Sequence, residues 1–85
     1  ALPSEASLLE RAQTLLRSDP ARALALAERH ATLYPSGHLV QEREVIRIEA
    51  LRKLGRTDQA AKAGRDFARD FPDSAHKKKI EDSVP

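Results

Sequence analysis

Leu33-Tyr34-Pro35-Ser36 and Asp70-Phe71-Pro72-Asp73 write one pattern twice, an aromatic residue and a proline closing a helical stretch. Sliding the sequence by 37 positions lays Ala23 on Ala60, Ala27 on Gly64, Ala31 on Ala68, Tyr34 on Phe71 and Pro35 on Pro72. Small residues four apart, followed by an aromatic, mark one face of a closely packed helix. A unit this short cannot bury its own apolar stripe, so two tandem copies predict an all-α fold of stacked antiparallel hairpins, each the other's wall. Such a stack offers a binding surface in preference to a catalytic pocket.

Eighty-five residues support one small domain, which buries only roughly 60–65% of the surface its unfolded chain exposes. With two Phe, one Tyr and no Trp, Met or Cys, the core must come from Leu, Ala, Ile and Val. Absent cysteine removes disulfides and thiolate metal sites without fixing the redox compartment. Fifteen basic and 13 acidic residues give a net charge of +2, which reads as a mixed, solvated surface and not a polyanion-binding one. No apolar run approaches the roughly 20 residues of a membrane-spanning helix, and Ala1-Leu2-Pro3 does not read as a signal peptide. No membrane insertion is therefore expected.

Stops and periods predict four full helices and a short fifth. Ser4 caps a first helix through about Arg17, with Leu8, Leu9, Ala12, Leu15 and Leu16 in one sector. Ser18-Asp19-Pro20 supplies a cap and a first-turn proline for a second helix reaching about Leu33. Its inner face carries Ala23, Leu24, Ala27, Ala31 and Tyr34, and its outer face Arg22, Ala25, Glu28, Arg29 and Thr32. Pro35-Ser36-Gly37 breaks the chain before a third helix from about His38 to Leu54. Leu39, Val40, Val45, Ile46, Ile48, Leu51 and Leu54 spread around most of that wheel, as suits an element packed on two sides. Gly55 is placed as a left-handed cap, and Arg56 or Thr57 leads a fourth helix to about Asp70, with Ala60, Ala61, Ala63, Gly64, Phe67, Ala68 and Phe71 inward. Asp73 or Ser74 caps a last segment to about Asp82, a polar lid with Ala75 and Ile80 for burial beside Lys77, Lys78 and Lys79. The domain thus divides into a first repeat over 4–35, a second over 38–72 and a capping helix over 74–82, with Pro3 and Pro85 marking its ends.

Leu51, Gly55, Ala60, Gly64, Phe67 and Pro72 resemble the tetratricopeptide repeat, in which an aromatic or similar residue, glycine, alanine, a small or aromatic residue and proline recur at these spacings. The Ala-rich second helix followed by aromatic-proline is similar in style to repeats of bacterial cell-envelope proteins, among them the Tol-Pal accessory and outer-membrane assembly lipoprotein families. The resemblance runs from about Leu8 to Ile80. The chain departs from it in its 37-residue spacing, in Glu44 at the first-helix tryptophan position and in Ile48 where glycine or alanine is usual.

The resemblance implies a non-catalytic protein-interaction scaffold whose concave face is lined by the first helix of each repeat. Counted back from Gly55, its groove positions fall on Glu42, Val45, Glu49, Arg52 and Lys53, and a helical wheel independently places these five in one sector. The matching strip of helix one holds Ser4, Ser7, Arg11 and Thr14, so the expected surface is a narrow zwitterionic trough around Val45. It suits an extended peptide or a partner helix. The competing view is that these charges only solvate an exposed face, Glu49 pairing with Arg52 or Lys53 along the helix. Val45 and Glu49 stand where chaperone-tail-binding relatives carry Lys and Asn, so an acidic carboxylate ligand is disfavoured. The resemblance also inclines the location toward a bacterial periplasm or envelope.

Other chemistry finds little footing. His30 superposes on Phe67 and is expected to pack as a space-filling ring, while His38 and His76 lie near helix starts without neighbouring metal ligands. Ser4, Ser7, Ser18, Ser36 and Ser74 read as caps and turn residues with no His and carboxylate at triad spacing. Gly37, Gly55 and Gly64 are isolated, so no phosphate-cradling loop is formed. No enzyme activity, cofactor, metal or small-molecule substrate is expected. Lys77-Lys78-Lys79 beside Glu81 and Asp82 is a weak magnet for anionic lipid or nucleic acid, and no aromatic interleaves to stack on bases. Nucleic acid is not expected as a partner. The alternative to a protein or peptide ligand is weak homo-oligomerisation, edge to edge, hiding an unpaired apolar side of helix one or helix four.

Overall fold

Ser4 opens the first helix as a side-chain cap, its Oγ accepting from the backbone N–H of Ser7 at 3.1 Å, which satisfies one of the donors a helix start leaves free. The structure, a computed structural model, describes residues 2–83, and Pro85, read above as an end marker, lies outside them. Five helices occur among the described residues: α1 (Glu5–Leu15), α2 (Pro20–Leu33), α3 (Val40–Lys53), α4 (Thr57–Asp70) and α5 (Lys77–Ser83). The all-α fold is as expected. None of these helices is long and apolar enough to cross a membrane.

The boundaries follow local chemistry. α1 stops two residues short of Arg17 because the chain tightens there, Leu16 N–H bonding to the Gln13 carbonyl and Asp19 N–H to that of Leu15. Of Ser18 and Asp19, it is Asp19 that caps α2, accepting from Arg22 N–H at 3.1 Å, with Pro20 in the first turn. α3 begins at Val40, later than His38, since the turn closed by Gly37 N–H on the Tyr34 carbonyl has to finish first. Gly55 ends α3 with φ 76°. Its N–H bonds to the Arg52 carbonyl and that of Arg56 to the Leu51 carbonyl, the paired bonds of a Schellman ending. α4 then starts at Thr57 with no side-chain cap.

α3 touches all four other helices, whereas α2 and α4 do not touch each other. The start of α1 lies beside the end of α2, where Glu5 meets His30, so these two run antiparallel. The start of α1 also lies beside the approach to α3, where Glu5 meets Leu39. The core follows from this central helix: Val45, Ile46, Ile48, Ala50 and Leu51 are buried around it. Ala23 and Ala27 of α2 and Ala60 and Ala63 of α4 are buried in the same core, where side chains ending at one methyl let helix backbones approach closely. α5 contributes Ile80, which is buried, but Ala75 precedes the helix and is exposed. That corrects the expectation for Ala75: Ser74 takes up its turn, its Oγ accepting from His76 N–H at 3.1 Å, and Lys77 starts the helix.

The 37-residue relation holds in three dimensions at the second helices. His30 and Tyr34 lie ring on ring with centroids 5.6 Å apart, and their counterparts Phe67 and Phe71 do the same at 5.1 Å, both tilted. Along the first helices it holds at the start, where buried Leu8 and Leu9 fall on buried Val45 and Ile46, and breaks further on, where buried Ala12 falls on half-buried Glu49.

Candidate functional site

Glu5 joins the first hairpin to the second. Its Oε1 accepts from His30 Nε2 at 2.9 Å and from Leu39 N–H at 3.2 Å, and its Oε2 accepts from His38 N–H at 3.1 Å. An ionised carboxylate only accepts, so His30 carries its hydrogen on Nε2 here. Burial pushes the Glu5 carboxyl upward, yet the His38 N–H, the His30 ring, the Leu39 N–H and the charge of His30 together outweigh it and hold the group below its ordinary value. Two of those donors are backbone groups at the approach to α3, where free N–H groups favour negative charge. Tyr34 completes the seam, its hydroxyl donating to the Pro3 carbonyl at 2.6 Å.

Glu42 falls on Glu5 after the 37-residue shift and does a related job one repeat later. Its Oε2 accepts from His76 Nε2 at 3.2 Å, and His76 is the counterpart of Leu39. Beside it Ser74 Oγ donates to Gln41 Oε1 at 2.5 Å, and further along Lys79 Nζ pairs with Glu49 Oε1 at 3.0 Å. The turn before α5 is therefore tied to α3 through Ser74 and His76, and α5 itself through the Lys79–Glu49 ion pair and the buried Ile80.

Between α1 and α3 an open groove of about 620 Å³ is lined by Ala6, Leu9, Glu10, Gln13 and Thr14 on one side and Leu39, Glu42 and Ile46 on the other. Of the residues expected to line a trough, the structure brings Thr14 and Glu42 together in this groove. Ser7 and Arg11 are exposed on α1 and Arg52 and Lys53 on α3, none of them among its lining residues. Ser4 is occupied as the cap of α1. Val45 is 7% exposed and belongs to the core, and Glu49, its side chain 15% exposed, is held by Lys79. Along α1 the lining residues Ala6, Glu10 and Gln13 sit one position before Ser7, Arg11 and Thr14. One position is about 100° of helix rotation, enough to exchange the basic Arg11 for the acidic Glu10.

His30 is fully buried, but it is more than the space-filling ring expected from its match to Phe67. One nitrogen holds Glu5 and the other, Nδ1, is buried without a hydrogen-bond partner among the described residues. Sequence reasoning assigned Glu5 no role. The signal that would have found it is its coincidence with Glu42 under the repeat shift. Glu44, at the tryptophan position of the resemblance, sits between Arg43 and Arg47, 2.9 Å and 3.8 Å away. On the outside of α4, Lys62, Asp66, Arg69 and Asp70 form a chain of ion pairs. The hydrogen bond from Lys62 holds the Asp66 carboxyl below its ordinary value, as solvated helix-surface pairs do. No group of three or more His, Cys, Asp or Glu with metal-site geometry occurs among the described residues.

No family model, curated protein or solved structure matches this chain. The likeness to tetratricopeptide repeats therefore rests on the residue spacings alone.

Proposed function

We propose that the chain is a non-catalytic interaction module that docks a segment of a partner protein in the groove between α1 and α3. The observation that carries this reading is the groove itself: about 620 Å³, open, with Leu9, Leu39 and Ile46 among its lining and polar groups at Glu10, Gln13, Thr14 and Glu42. A size within roughly 300–1,000 Å³ and a mixture of apolar wall and a few polar groups are what small binding sites have in common. The first helices of successive repeats supply both walls, the face that tetratricopeptide-like arrays would use. Homo-oligomerisation through an uncovered apolar face has less support, because the large apolar side chain left exposed among the described residues is Leu2, at 68%. Single exposed apolar residues are ordinary on monomers.

Panning a displayed random-peptide library against the chain tests the reading. Peptides enriched on the wild type are expected to lose binding to a groove-filled variant carrying Ala6→Trp and Gln13→Trp, and to keep it on an outer-face variant, Arg22→Ala. Equal binding to the filled variant, with its helical circular dichroism intact, would remove the groove from consideration.

A further inference from the structure

We infer that the α1–α3 groove selects a segment pairing an apolar side chain with lysine or arginine, a deepening that rests on the docking role proposed above. The rim charge points this way. Glu10 stands on one wall and Glu42 on the other, Gln13 and Thr14 are neutral, and none of the described lining residues is basic. That is a local reversal of sign in a chain with 15 basic and 13 acidic residues.

The two carboxylates are also open to a new partner. The Glu10 side chain is exposed and makes no ion pair or side-chain hydrogen bond with the described residues; its backbone carbonyl alone accepts from Thr14 Oγ1. Glu42 engages His76 through Oε2, leaving Oε1 without a partner among the described residues. The rim thus presents acceptors, whereas the floor, with Leu9 and Ile46 nearly buried and Leu39 half-buried, is apolar. Lining positions on α1 run from Ala6 to Thr14, a rise of ~12 Å, which is about two helical turns or about four extended residues. A short peptide segment therefore spans it. An acidic segment would bring like charge beside Glu10, while a cationic one gains attraction that speeds encounter and sets register.

Fluorescence anisotropy with three labelled peptides tests this, using leucine alternating with lysine, with serine or with glutamate. The leucine–lysine peptide is expected to bind, to weaken as salt is raised, and to lose roughly tenfold in affinity on the double variant Glu10→Gln, Glu42→Gln, the scale of two exposed ion pairs. Removing equal charge elsewhere, by Glu28→Gln with Asp58→Asn, is expected to change nothing. Equal affinity for the serine or glutamate peptide, or an equal loss in the charge-matched control, overturns the selectivity for cations. If filling the groove with Ala6→Trp and Gln13→Trp abolishes binding but the Glu10 and Glu42 changes do not, docking stands and the charge preference falls. If the filled variant still binds the leucine–lysine peptide, both readings fall.

Discussion

His30 and Glu5 meet at 2.9 Å across the first hairpin, a fully buried ring nitrogen on a carboxylate whose side chain is 16% exposed. Through the same carboxylate, the end of α2 and the approach to α3 are fastened to the first turn of α1. One acidic residue thus links three segments of the fold.

Acid should release this fastening. Glu5 titrates below its ordinary value near 4.5 when folded, so the unfolded chain takes up its proton first as pH falls. The stability that ionised Glu5 contributes is then fully present above about pH 4.5, the unfolded value, and is lost as pH drops through the lower folded value. Glu5→Gln is expected to be less stable than the wild type at neutral pH, with the gap closing in strong acid. Asp66, also held low, is common to both proteins and cancels. Urea unfolding at a series of pH values checks this, and a gap independent of pH would contradict it.

Two glycines should fail for different reasons. Gly55 has open space around a notional Cβ but a φ of 76°, so Gly55→Ala is expected to cost about 1–2 kcal/mol through backbone strain alone. A Cβ on Gly37 would collide with the Glu5 carboxylate. Making room costs the carboxylate its bonds to His30, His38 and Leu39, so Gly37→Ala should be destabilising in the wild type and far milder in a Glu5→Ala background. A double-mutant cycle by thermal unfolding reads that coupling directly, and strict additivity would show that the carboxylate is not what excludes the side chain.

Repeat equivalence predicts the outcome at position 30. His30→Ala empties a fully buried site and is expected to cost roughly 2–5 kcal/mol. His30→Phe copies Phe67 of the second repeat and removes the unpartnered Nδ1. Its cost should be smaller than that of the alanine change, about 1–3 kcal/mol, because the larger ring must be fitted and the Glu5 hydrogen bond is lost. Chemical denaturation separates the two, and a phenylalanine variant as damaged as the alanine one would make the Glu5 hydrogen bond the dominant contribution.

α5 should come away without the rest. Ile80 is its buried anchor, whereas the ion pair from Lys79 to Glu49 involves a well-exposed lysine and such pairs contribute about 0–1 kcal/mol. Ile80→Asp is expected to raise amide hydrogen exchange over residues 77–83 while α1 to α4 keep their protection. Lys79→Ala should leave the exchange nearly unchanged. Loss of protection throughout after Ile80→Asp would mean that α5 is part of the cooperative core.

Much of the fold is legible along the chain because its signals are local. Ser4 and Asp19 cap helices, Pro20 starts one, Gly55 ends one, and the aromatic-proline pairs at Tyr34-Pro35 and Phe71-Pro72 stop two more. Each of these acts through its own backbone or through atoms three or four residues away. The spread of apolar residues around α3 likewise announces a helix enclosed by others, and it touches all four. Ala75 read as a burial site only because it is apolar, and nothing nearby in sequence says that Ser74 would hold it in a turn.

The sequence by itself therefore determined the helices, their order and the inward faces of α2 and α4, all consequences of periodicity and short-range hydrogen bonding. Tertiary structure alone decided that Glu5 gathers His30, His38 and Leu39, and that Glu10 in place of Arg11 lines the groove opposite Glu42. The physical reason is rotation. A helix turns about 100° per residue, so the side chains that meet across two helices depend on how each is rolled about its axis by the packing of all its neighbours, and a difference of one position changes the charge of a binding surface.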